Sequence, residues 1–360
     1  MSTLSPSRVL VLGCGGIGGI IAGHLLHRQG TRADVVVHVV ARNPELRRTL
    51  LDQGFVVRGL GNESTFRGEV LGSIPSSQVY DFVLLAMQPP DVEAAARQAS
   101  AHLAPDGRIV CLQNGLCEDR VASTLGAPDR VLGGVVSFGG SSSAPGVYER
   151  TSAGGFVLGR PDGRLEPQLE RLASVLDCVG PVMITENLSG VRWSKLAINS
   201  AISTLGTLAG VRLGALVSDR RARRFALEIF TECVVVARAS NVRLEKVSGT
   251  LDVDWISLRR GDGRRVSPAS RLAKEAIIAA VGLKYRRMRS SMLAALERGQ
   301  VPPVDFLNGE IVTRALALGL SAPANEAAVD FVWRLYRHEA KPGFTTLHAA
   351  YDSFEATRMA

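Results

Sequence analysis

Short apolar runs alternate with longer amphipathic stretches over the first third of the chain. The runs are rich in valine, leucine and isoleucine, which is typical of strands buried on both faces of a sheet. The stretches between them repeat apolar residues at helical spacing. Alternation of strands and helices predicts a doubly wound parallel sheet. The strands are predicted at 8–12, 34–40, 82–87 and 108–112, and two of the helices at 17–29 and 91–104.

Two changes of pattern follow this alternation. Between residues 131 and 158, turns rich in glycine and serine separate short apolar runs, which predicts the far edge of the sheet and a crossing point. Beyond about residue 185 the apolar residues recur at helical spacing. We therefore expect an α/β domain over residues 1–185 and an all-α domain over residues 186–360. Helices of the second domain are predicted at 187–208, 219–240, 269–298 and 305–318, and an arginine-rich insertion lies near 247–284.

A glycine motif of the form G-x-G-x-x-G joins the first predicted strand to the first predicted helix. Gly13 permits a tight turn, Gly15 lets the backbone approach a pyrophosphate, and Gly18 lets the helix pack closely on the strand. Amide groups at the N-terminus of the helix supply donors for the phosphates. This context predicts a Rossmann-type dinucleotide site, and a purely structural glycine turn is the alternative. The predicted site residues are Gly13, Cys14, Gly15, Gly16, Ile17 and Gly18.

The end of the second strand indicates which dinucleotide binds. A site for NAD carries an acidic residue there, which bonds the ribose hydroxyls. This chain instead has Arg42, whose guanidinium can pair with a 2′-phosphate, and Arg47 or Arg48 can assist it. NADP is therefore the predicted cofactor. The alternative is that Arg42 is an ordinary surface arginine.

Lys195 is the only lysine in the first 245 residues and lies in a strongly apolar predicted helix. Lys195, Asn199 and Ser203 are spaced four residues apart, so they share one helix face. A lysine in such surroundings loses part of its hydration and can act as a general acid near neutral pH. A lysine that extends from a half-exposed helix into solvent is the alternative.

Composition excludes several other classes of protein. The five cysteines are scattered, which argues against a disulfide framework and a cysteine zinc site. The formal charge of +8 comes mostly from arginine, and aromatic residues beside the basic clusters are too few for a nucleic-acid stacking surface. No stretch has the pattern of a membrane span or a signal peptide. We expect a soluble cytoplasmic protein that binds neither nucleic acid, membrane nor metal.

Several motifs, in the same order along the chain, resemble those of the ketopantoate reductase family. They are the glycine motif, Gln113-Asn114-Gly115, the W-x-K-x-x-x-N pattern at 193–199, Ser290-Ser291-Met292-Leu293, Asp305-Phe306-Leu307-Asn308-Gly309, and the tail at 319–325. The resemblance covers most of the chain except about 247–284. It implies a helical domain similar to that of 6-phosphogluconate dehydrogenase after the Rossmann-type domain.

The resemblance implies NADPH-dependent reduction of a 2-oxo acid to a 2-hydroxy acid, as in the step of pantothenate biosynthesis from 2-dehydropantoate (ketopantoate) to pantoate. On this resemblance Lys195 gives the proton to the carbonyl oxygen. Asn114 holds the substrate near the nicotinamide, Asn199 and Ser203 contact the substrate, and Ser291 binds its carboxylate end. A homodimer is compatible with this reading, and the sequence does not determine the oligomeric state.

The chain departs from the family pattern at several of these positions. Gln88 stands where the family has a lysine near the cofactor, although Gln88 and Gly140 still fall at cofactor positions on the resemblance. Ser203 and Leu213 replace asparagines, and Pro303 replaces a glutamate. These changes favour a different, more apolar 2-oxo compound, and reduced or lost activity is the alternative.

Two alternatives to a 2-oxo acid reductase stay open. One is a reductase of another ketone or an imine on the same scaffold, and the other is a non-catalytic NADP-binding sensor. Asp305 is retained, either in the pocket or as a helix cap.

Overall fold

The chain forms two compact units, the first of mixed α/β structure and the second helical. The structure, a computed structural model, describes residues 5–246, 251–259 and 261–359. The first unit contains the described residues up to Gln113 and Cys117–Leu188. The second contains Asn114–Leu116 and the described residues from Ser189 onward. The predicted fold class, a parallel-sheet α/β domain followed by a helical domain, is confirmed.

Strands and helices alternate along the first unit, as the pattern predicts. Its strands are β1 (Ser7–Leu12), β2 (Val35–Val40), β3 (Phe55–Gly59), β4 (Asn62–Phe66), β5 (Val70–Leu71), β6 (Tyr80–Leu85), β7 (Leu103–Cys111), β8 (Val131–Val136), β9 (Gly140–Ala144), β10 (Val147–Arg150), β11 (Phe156–Gly159) and β12 (Val182–Ile184). Its helices are α1 (Gly16–Arg32), α2 (Pro44–Gln53), α3 (Val92–Ser100), α4 (Cys117–Leu125) and α5 (Pro167–Leu176).

The main sheet of this unit has the order β12-β11-β8-β7-β6-β1-β2-β5 among the described residues. Neighbouring strands are parallel except for β8 and β11. Both β2 and β6 pair with β1, so the carboxyl ends of these three strands meet at one edge of the sheet. The four predicted strands are all present, as β1, β2, β6 and β7.

The predicted helix at 91–104 is too long at its C-terminal end. Helix α3 ends at Ser100, and β7 begins at Leu103. The reason is a sheet contact, because the amide of Tyr80 donates to the carbonyl of His102 at 2.8 Å. The backbone after residue 101 therefore bonds to the sheet and cannot continue the helix.

The prediction for residues 131–158 is correct only in part. Strands β8 and β11 do lie toward the far edge of the main sheet, but β9 and β10 leave it and form a second sheet of order β4-β3-β10-β9. This sheet packs on α1 through the buried ring of Tyr148, which occupies the space that a side chain at Gly19 would need. The glycine-rich face of α1 thus accepts a second layer of structure.

The described part of the second unit is built mainly of helices. They are α6 (Leu188–Ala209), α7 (Leu213–Ser218), α8 (Arg220–Ala239), α9 (Val253–Ile256), α10 (Pro268–Lys284), α11 (Ser291–Glu297), α12 (Asn308–Ala317), α13 (Pro323–Tyr336) and α14 (Phe344–Met359). Its core is formed mainly by buried leucine, valine, alanine and phenylalanine side chains of α6, α8, α12, α13 and α14.

The single helix predicted at 269–298 is wrong, because residues 285–290 separate α10 from α11. The amides of Leu213 and Gly214 donate to the carbonyls of Met288 and Arg286, which takes these residues out of helical bonding. The Ser290 hydroxyl then caps α11 by accepting from the amide of Leu293 at 3.2 Å. The helix predicted at 305–318 likewise begins later, at Asn308, after a single turn of 3-10 helix at Pro303–Phe306.

The described part of the arginine-rich insertion packs on α8. Residues 247–250 and Arg260 lie outside the described residues. The buried carboxylate of Glu228 on α8 accepts from Arg265 of the insertion at 3.0 Å. Lys274, also buried, donates to backbone carbonyls of the insertion itself, one of them that of Ser257. The arginines here therefore neutralise buried acids, as expected for charges that leave water.

Candidate functional site

The loop between β1 and α1 has the geometry of a dinucleotide cradle. Gly13 has a φ of +104°, and a Cβ on it would lie 2.6 Å from the amide nitrogen of Met87. A Cβ on Gly18 would lie 1.9 Å from the carbonyl oxygen of Gly13. A Cβ on Gly15, the residue just before α1, would meet nothing within 4 Å. Two glycines are thus required by the fold, and the third leaves the open space that a pyrophosphate needs.

The other predicted residues of this loop are held by the second sheet. A Cβ on Gly16 would lie 2.5 Å from the Cα of Ser141, and one on Gly140 would contact the side chain of Ile17. The structure therefore places Gly140 beside the start of α1, in a packing position. Burial raises the pKa of the Cys14 thiol to about 12, so this thiol is neutral at physiological pH.

Arg42 lies exposed at the carboxyl end of β2, beside a carboxylate that sequence reasoning missed. Its Nη2 is 3.9 Å from Oδ2 of Asp91, and 72% of the Arg42 side chain is exposed. Asp91 ends the short 3-10 turn after β6, and the exposed Gln88 precedes that turn. Arg42 and Asp91 come together because β2 and β6 both pair with β1 and end at the same edge of the sheet. The side chain of Arg47 occupies the space that a Cβ on Gly72 would need, and Gly72 is the residue that follows the edge strand β5.

The Gln113-Asn114-Gly115 motif contains a tight backbone approach. The Gln113 amide donates to the carbonyl of Leu85 at the end of β6, at 2.9 Å. Gly115 has a φ of +98°, and a Cβ there would lie 2.5 Å from the carbonyl oxygen of Phe306. Gly115 and the Asp305–Gly309 motif belong to the same second unit, and Asn114, which precedes Gly115, is exposed. This proximity is between segments almost two hundred residues apart in the sequence.

Lys195 lies on the partly buried face of α6, as the spacing predicts. Lys195, Asn199 and Ser203 are half-buried, whereas Ser194, Leu196 and Ser200 are buried. Burial lowers the pKa of Lys195 to about 7, and the nearby charge of Arg192 adds to the effect. Lys195 can therefore hold or release a proton near neutral pH.

Asn199, one turn after Lys195, has a polar atom that lacks a partner. Its Nδ2 is buried and makes no hydrogen bond in the structure. A buried N–H group without an acceptor is costly, so such groups are rare in stable proteins. On the face that carries Lys195, this amide is a donor available to a ligand.

The structure distinguishes the two serines of the Ser290-Ser291 motif. Ser290 is buried, and its hydroxyl lies 2.8 Å from that of Thr207 on α6. Ser291, which the resemblance assigns to the substrate carboxylate, is exposed as the first residue of α11. Ser203 is tied to the same region, because its carbonyl accepts from the Thr207 hydroxyl at 2.8 Å. Sequence reasoning missed Ser290, which contacts α6 directly.

Asp305 does not cap a helix. Its Oδ1 accepts from the indole Nε1 of Trp333 at 2.9 Å, and no side chain caps α12. Pro303 begins the 3-10 turn that carries Asp305.

The described part of the chain lacks two features that mark other classes of protein. None of its helices combines the length and the apolar character that crossing a membrane requires. No group of three or more histidine, cysteine, aspartate or glutamate side chains among the described residues is placed to hold a metal ion.

A glycine cradle on a parallel sheet, followed by a helical unit with a lysine of lowered pKa, defines a dinucleotide-dependent oxidoreductase. Two sequence models of one family match the chain, "Ketopantoate reductase PanE/ApbA" over residues 9–163 and "Ketopantoate reductase PanE/ApbA C terminal" over residues 187–335. The chain therefore belongs to the ketopantoate reductase family. The predictions of this family and of an oxidoreductase are confirmed.

Curated relatives and solved structures agree with this assignment over almost the whole chain. A 2-dehydropantoate 2-reductase of Pyrococcus horikoshii is 27% identical over 320 residues, which are 88% of this chain and 94% of the relative. One from Archaeoglobus fulgidus is 26% identical over 329 residues, 90% of this chain and 96% of the relative. The crystal structure of 2-dehydropantoate 2-reductase from Methylococcus capsulatus has a TM-score of 0.72 at 25% identity, with 93% of this chain and 98% of that chain covered.

A further neighbour shows that the fold extends to another named dehydrogenase. D-mandelate dehydrogenase, solved with NADH and anilino(oxo)acetate, has a TM-score of 0.74 at 17% identity and covers 97% of this chain and 99% of its own. At this identity the likeness concerns the fold alone. The site and the comparisons together support a nicotinamide dinucleotide as the cofactor class.

Proposed function

We propose that this protein reduces a 2-oxo acid to the corresponding 2-hydroxy acid with NADPH, and that Lys195 donates the proton. The observation that carries the proposal is the pairing, on one face of α6, of a lysine whose pKa is lowered to about 7 with a buried amide of Asn199 that has no partner. A reduction of a carbonyl needs a proton for the oxygen and a donor that orients it. Lys195 and Asn199 can supply these two functions.

The residues of the chain have separate tasks in this reaction. The reduced nicotinamide, when bound, supplies a hydride to the carbonyl carbon of the substrate. The protonated amine of Lys195 gives its proton to the carbonyl oxygen, so that the C=O group becomes CH–OH and the amine becomes neutral. Because burial already disfavours the charged lysine, loss of the proton is made easier. The N–H of Asn199 donates to an oxygen of the substrate and holds the carbonyl in position.

The first substrate to test is 2-dehydropantoate, the substrate in the name of several relatives. NADPH oxidation is followed by absorbance with this compound beside a panel of bulkier 2-oxo acids. We expect turnover of at least one 2-oxo acid, and turnover of a bulkier one alone would mean that Pro303 and Ser203 have changed the substrate. Binding of NADPH without turnover of any 2-oxo acid, ketone or imine would contradict the proposal and favour the sensor alternative.

NADPH is proposed over NADH because of Arg42. Arg42→Ala should weaken NADPH binding by about 10- to 100-fold, the effect of losing charge-assisted hydrogen bonds to the 2′-phosphate, and leave NADH binding nearly unchanged. Cofactor fluorescence titrations of both dinucleotides measure this difference. Arg32→Ala, which removes an exposed arginine from the other end of α1, is the control. Equal losses for NADPH and NADH would exclude a 2′-phosphate contact at Arg42.

A further inference from the structure

A chain of buried polar side chains connects four helices of the second unit. The hydroxyl of Thr204 on α6 donates to Oδ1 of Asn308 on α12 at 2.6 Å. Nδ2 of Asn308 donates to Oδ1 of Asn325 on α13 at 2.9 Å. Nδ2 of Asn325 then donates to Oε2 of Glu232 on α8 at 2.7 Å. Thr204, Asn308 and Asn325 are completely buried, so water cannot replace these hydrogen bonds.

The carboxylate of Glu232 sets the direction of every hydrogen bond in this chain. Burial raises the pKa of Glu232 to about 7, and the three groups that face its oxygens are all N–H donors, namely the amides of Ala324 and Asn325 and Nδ2 of Asn325, so these oxygens accept. The side chain of Asn325 must therefore present its oxygen to Asn308. Asn308 must in turn present its Nδ2 to Asn325 and its oxygen to Thr204. Each amide has only one orientation that satisfies all of its neighbours.

These hydrogen-bonded side chains contact α6 on the side opposite to Lys195. Besides its bond to Asn325, Nδ2 of Asn308 donates to the carbonyl of Ser200 at 3.1 Å. At 100° per residue, Ser200 and Thr204 lie about 140–180° around the helix from Lys195. Asn308 thus makes two hydrogen bonds to the side of α6 opposite to Lys195, one with the side chain of Thr204 and one with the backbone carbonyl of Ser200. The second of these bonds is at the residue that follows Asn199.

We propose that Thr204, Asn308, Asn325 and Glu232 are positioning residues for the reaction. They fix the face of α6 that carries Ser200 and Thr204, so that Lys195 and Asn199 keep their positions on the opposite face. This inference rests on the proposed function, because it assigns these residues a task in the work of Lys195 and Asn199. It gives a role to Asn308 and Asn325, which belong to the sequence motifs but not to the substrate contacts.

Positioning of this kind has an effect that differs from simple stabilisation. A catalytic group that moves by about 1 Å can lose roughly 10²-fold in rate, even when the protein stays folded. Loss of the α6 contacts should therefore lower catalysis more than it lowers stability. A buried hydroxyl elsewhere in the same unit provides the comparison. Thr231 on α8 is such a group, and its hydroxyl bonds the carbonyl of Leu227 and the amide of Leu258.

The test compares Thr204→Val, Thr204→Ser and the control Thr231→Val in the full-length protein. Thr204→Val should lower kcat/KM for the 2-oxo acid by about 10- to 100-fold, whereas Thr204→Ser should retain activity within about threefold. Thr231→Val should lower Tm by a similar amount to Thr204→Val and keep its activity. NADPH affinity should be unchanged in all three. A normal rate for Thr204→Val, or an equal loss for Thr231→Val, would overturn the proposal.

A second variant covers the case in which Thr204→Val does not fold. Glu232→Gln keeps the shape of the side chain but directs an amide NH₂ group at one of its three donors. It should lower kcat/KM in the same direction with unchanged NADPH affinity, since the hydrogen bonds of the chain lose their single direction. Wild-type activity in this variant would contradict the proposal.

A second measurement separates failure of this inference from failure of the proposed function. The chain has five lysines, so ¹³C-methylation allows the pKa of Lys195 to be followed by NMR without any substrate. In Thr204→Val the pKa should move toward the ordinary lysine value by about half a unit or more, and in Thr231→Val it should stay constant. If the wild type reduces no substrate, this titration alone decides: a shift supports positioning of Lys195, and no shift overturns it.

Discussion

We expect Lys195→Ala to lower kcat for reduction of the proposed 2-oxo acid by about 10²- to 10⁴-fold, the usual contribution of a general acid, and to leave the Kd of NADPH unchanged. The proton for the carbonyl oxygen then comes only from water, which is not held in position. Stopped-flow and steady-state oxidation of NADPH measure the rate, and fluorescence titration measures binding. Lys341→Ala, which removes an exposed lysine of the same unit, should react at the wild-type rate. A near-normal rate for Lys195→Ala would mean that another group donates the proton.

The pH dependence gives an independent check of Lys195. In the proposed reaction Lys195 must be protonated to react, and burial lowers its pKa to about 7. The value of kcat/KM for reduction should therefore be constant below about pH 7 and fall tenfold per unit above it, as the lysine loses its proton. Lys195→Ala should lack this break. A profile that stays flat up to pH 9 in the wild type would contradict the assignment.

Titration of Lys195 should also change the folding stability of the protein with pH, in a direction that follows from its lowered pKa. The pKa of Lys195 falls from 10.5 to about 7 on folding, so the unfolded chain binds more protons between these values. This group therefore makes the protein more stable as pH rises from about 7 toward 10.5. Lys195→Met removes that contribution. The Tm of the wild type should therefore rise relative to that of Lys195→Met over this pH range, and a constant difference would argue against a lowered pKa.

Asn199→Ala should lower kcat/KM by about 10²- to 10³-fold, as expected for loss of a donor that is directed at a developing charge. The same change should leave Tm nearly unaffected, because Nδ2 has no hydrogen bond within the protein to lose. Activity and thermal unfolding are measured on the same preparation. The combination of a large kinetic effect and a small thermal effect is characteristic of a group that serves a ligand.

A large fall in Tm of Asn199→Ala together with the loss of activity would contradict this prediction. Asn199 would then be a structural residue of α6, and the substrate donor would have to lie elsewhere. Ser203→Ala on the same face should also leave Tm nearly unchanged, because the Ser203 carbonyl, which accepts from Thr207, is kept.

Local pattern was sufficient for much of the site. The apolar run of β1 predicts the strand, and the spacing of Gly13, Gly15 and Gly18 predicts the turn and the start of α1. Each of these signals lies within a few neighbouring residues of the sequence. The stripe of Lys195 and Asn199 on α6 follows from helical spacing alone. The resemblance added the reaction class.

Long-range contacts were the source of the errors. The helix predicted at 269–298 breaks because Leu213 and Gly214 bond the chain near residue 287. Asp91 lies beside Arg42 because two strands that pair with β1 end at the same edge. Ser290 contacts α6 because Thr207, more than eighty residues earlier, packs against it. No short segment of sequence contains such information.

The sequence by itself determined the order of strands and helices, the glycine loop after β1 and the face of α6 that carries Lys195 and Asn199, since these depend on neighbours in the chain. Only the tertiary structure decided the second sheet on α1, the lowered pKa of Lys195 and the buried chain from Thr204 to Glu232. Their common cause is burial. Whether a polar group loses its water and which partner replaces it depend on segments that are distant in sequence and meet only when the chain folds.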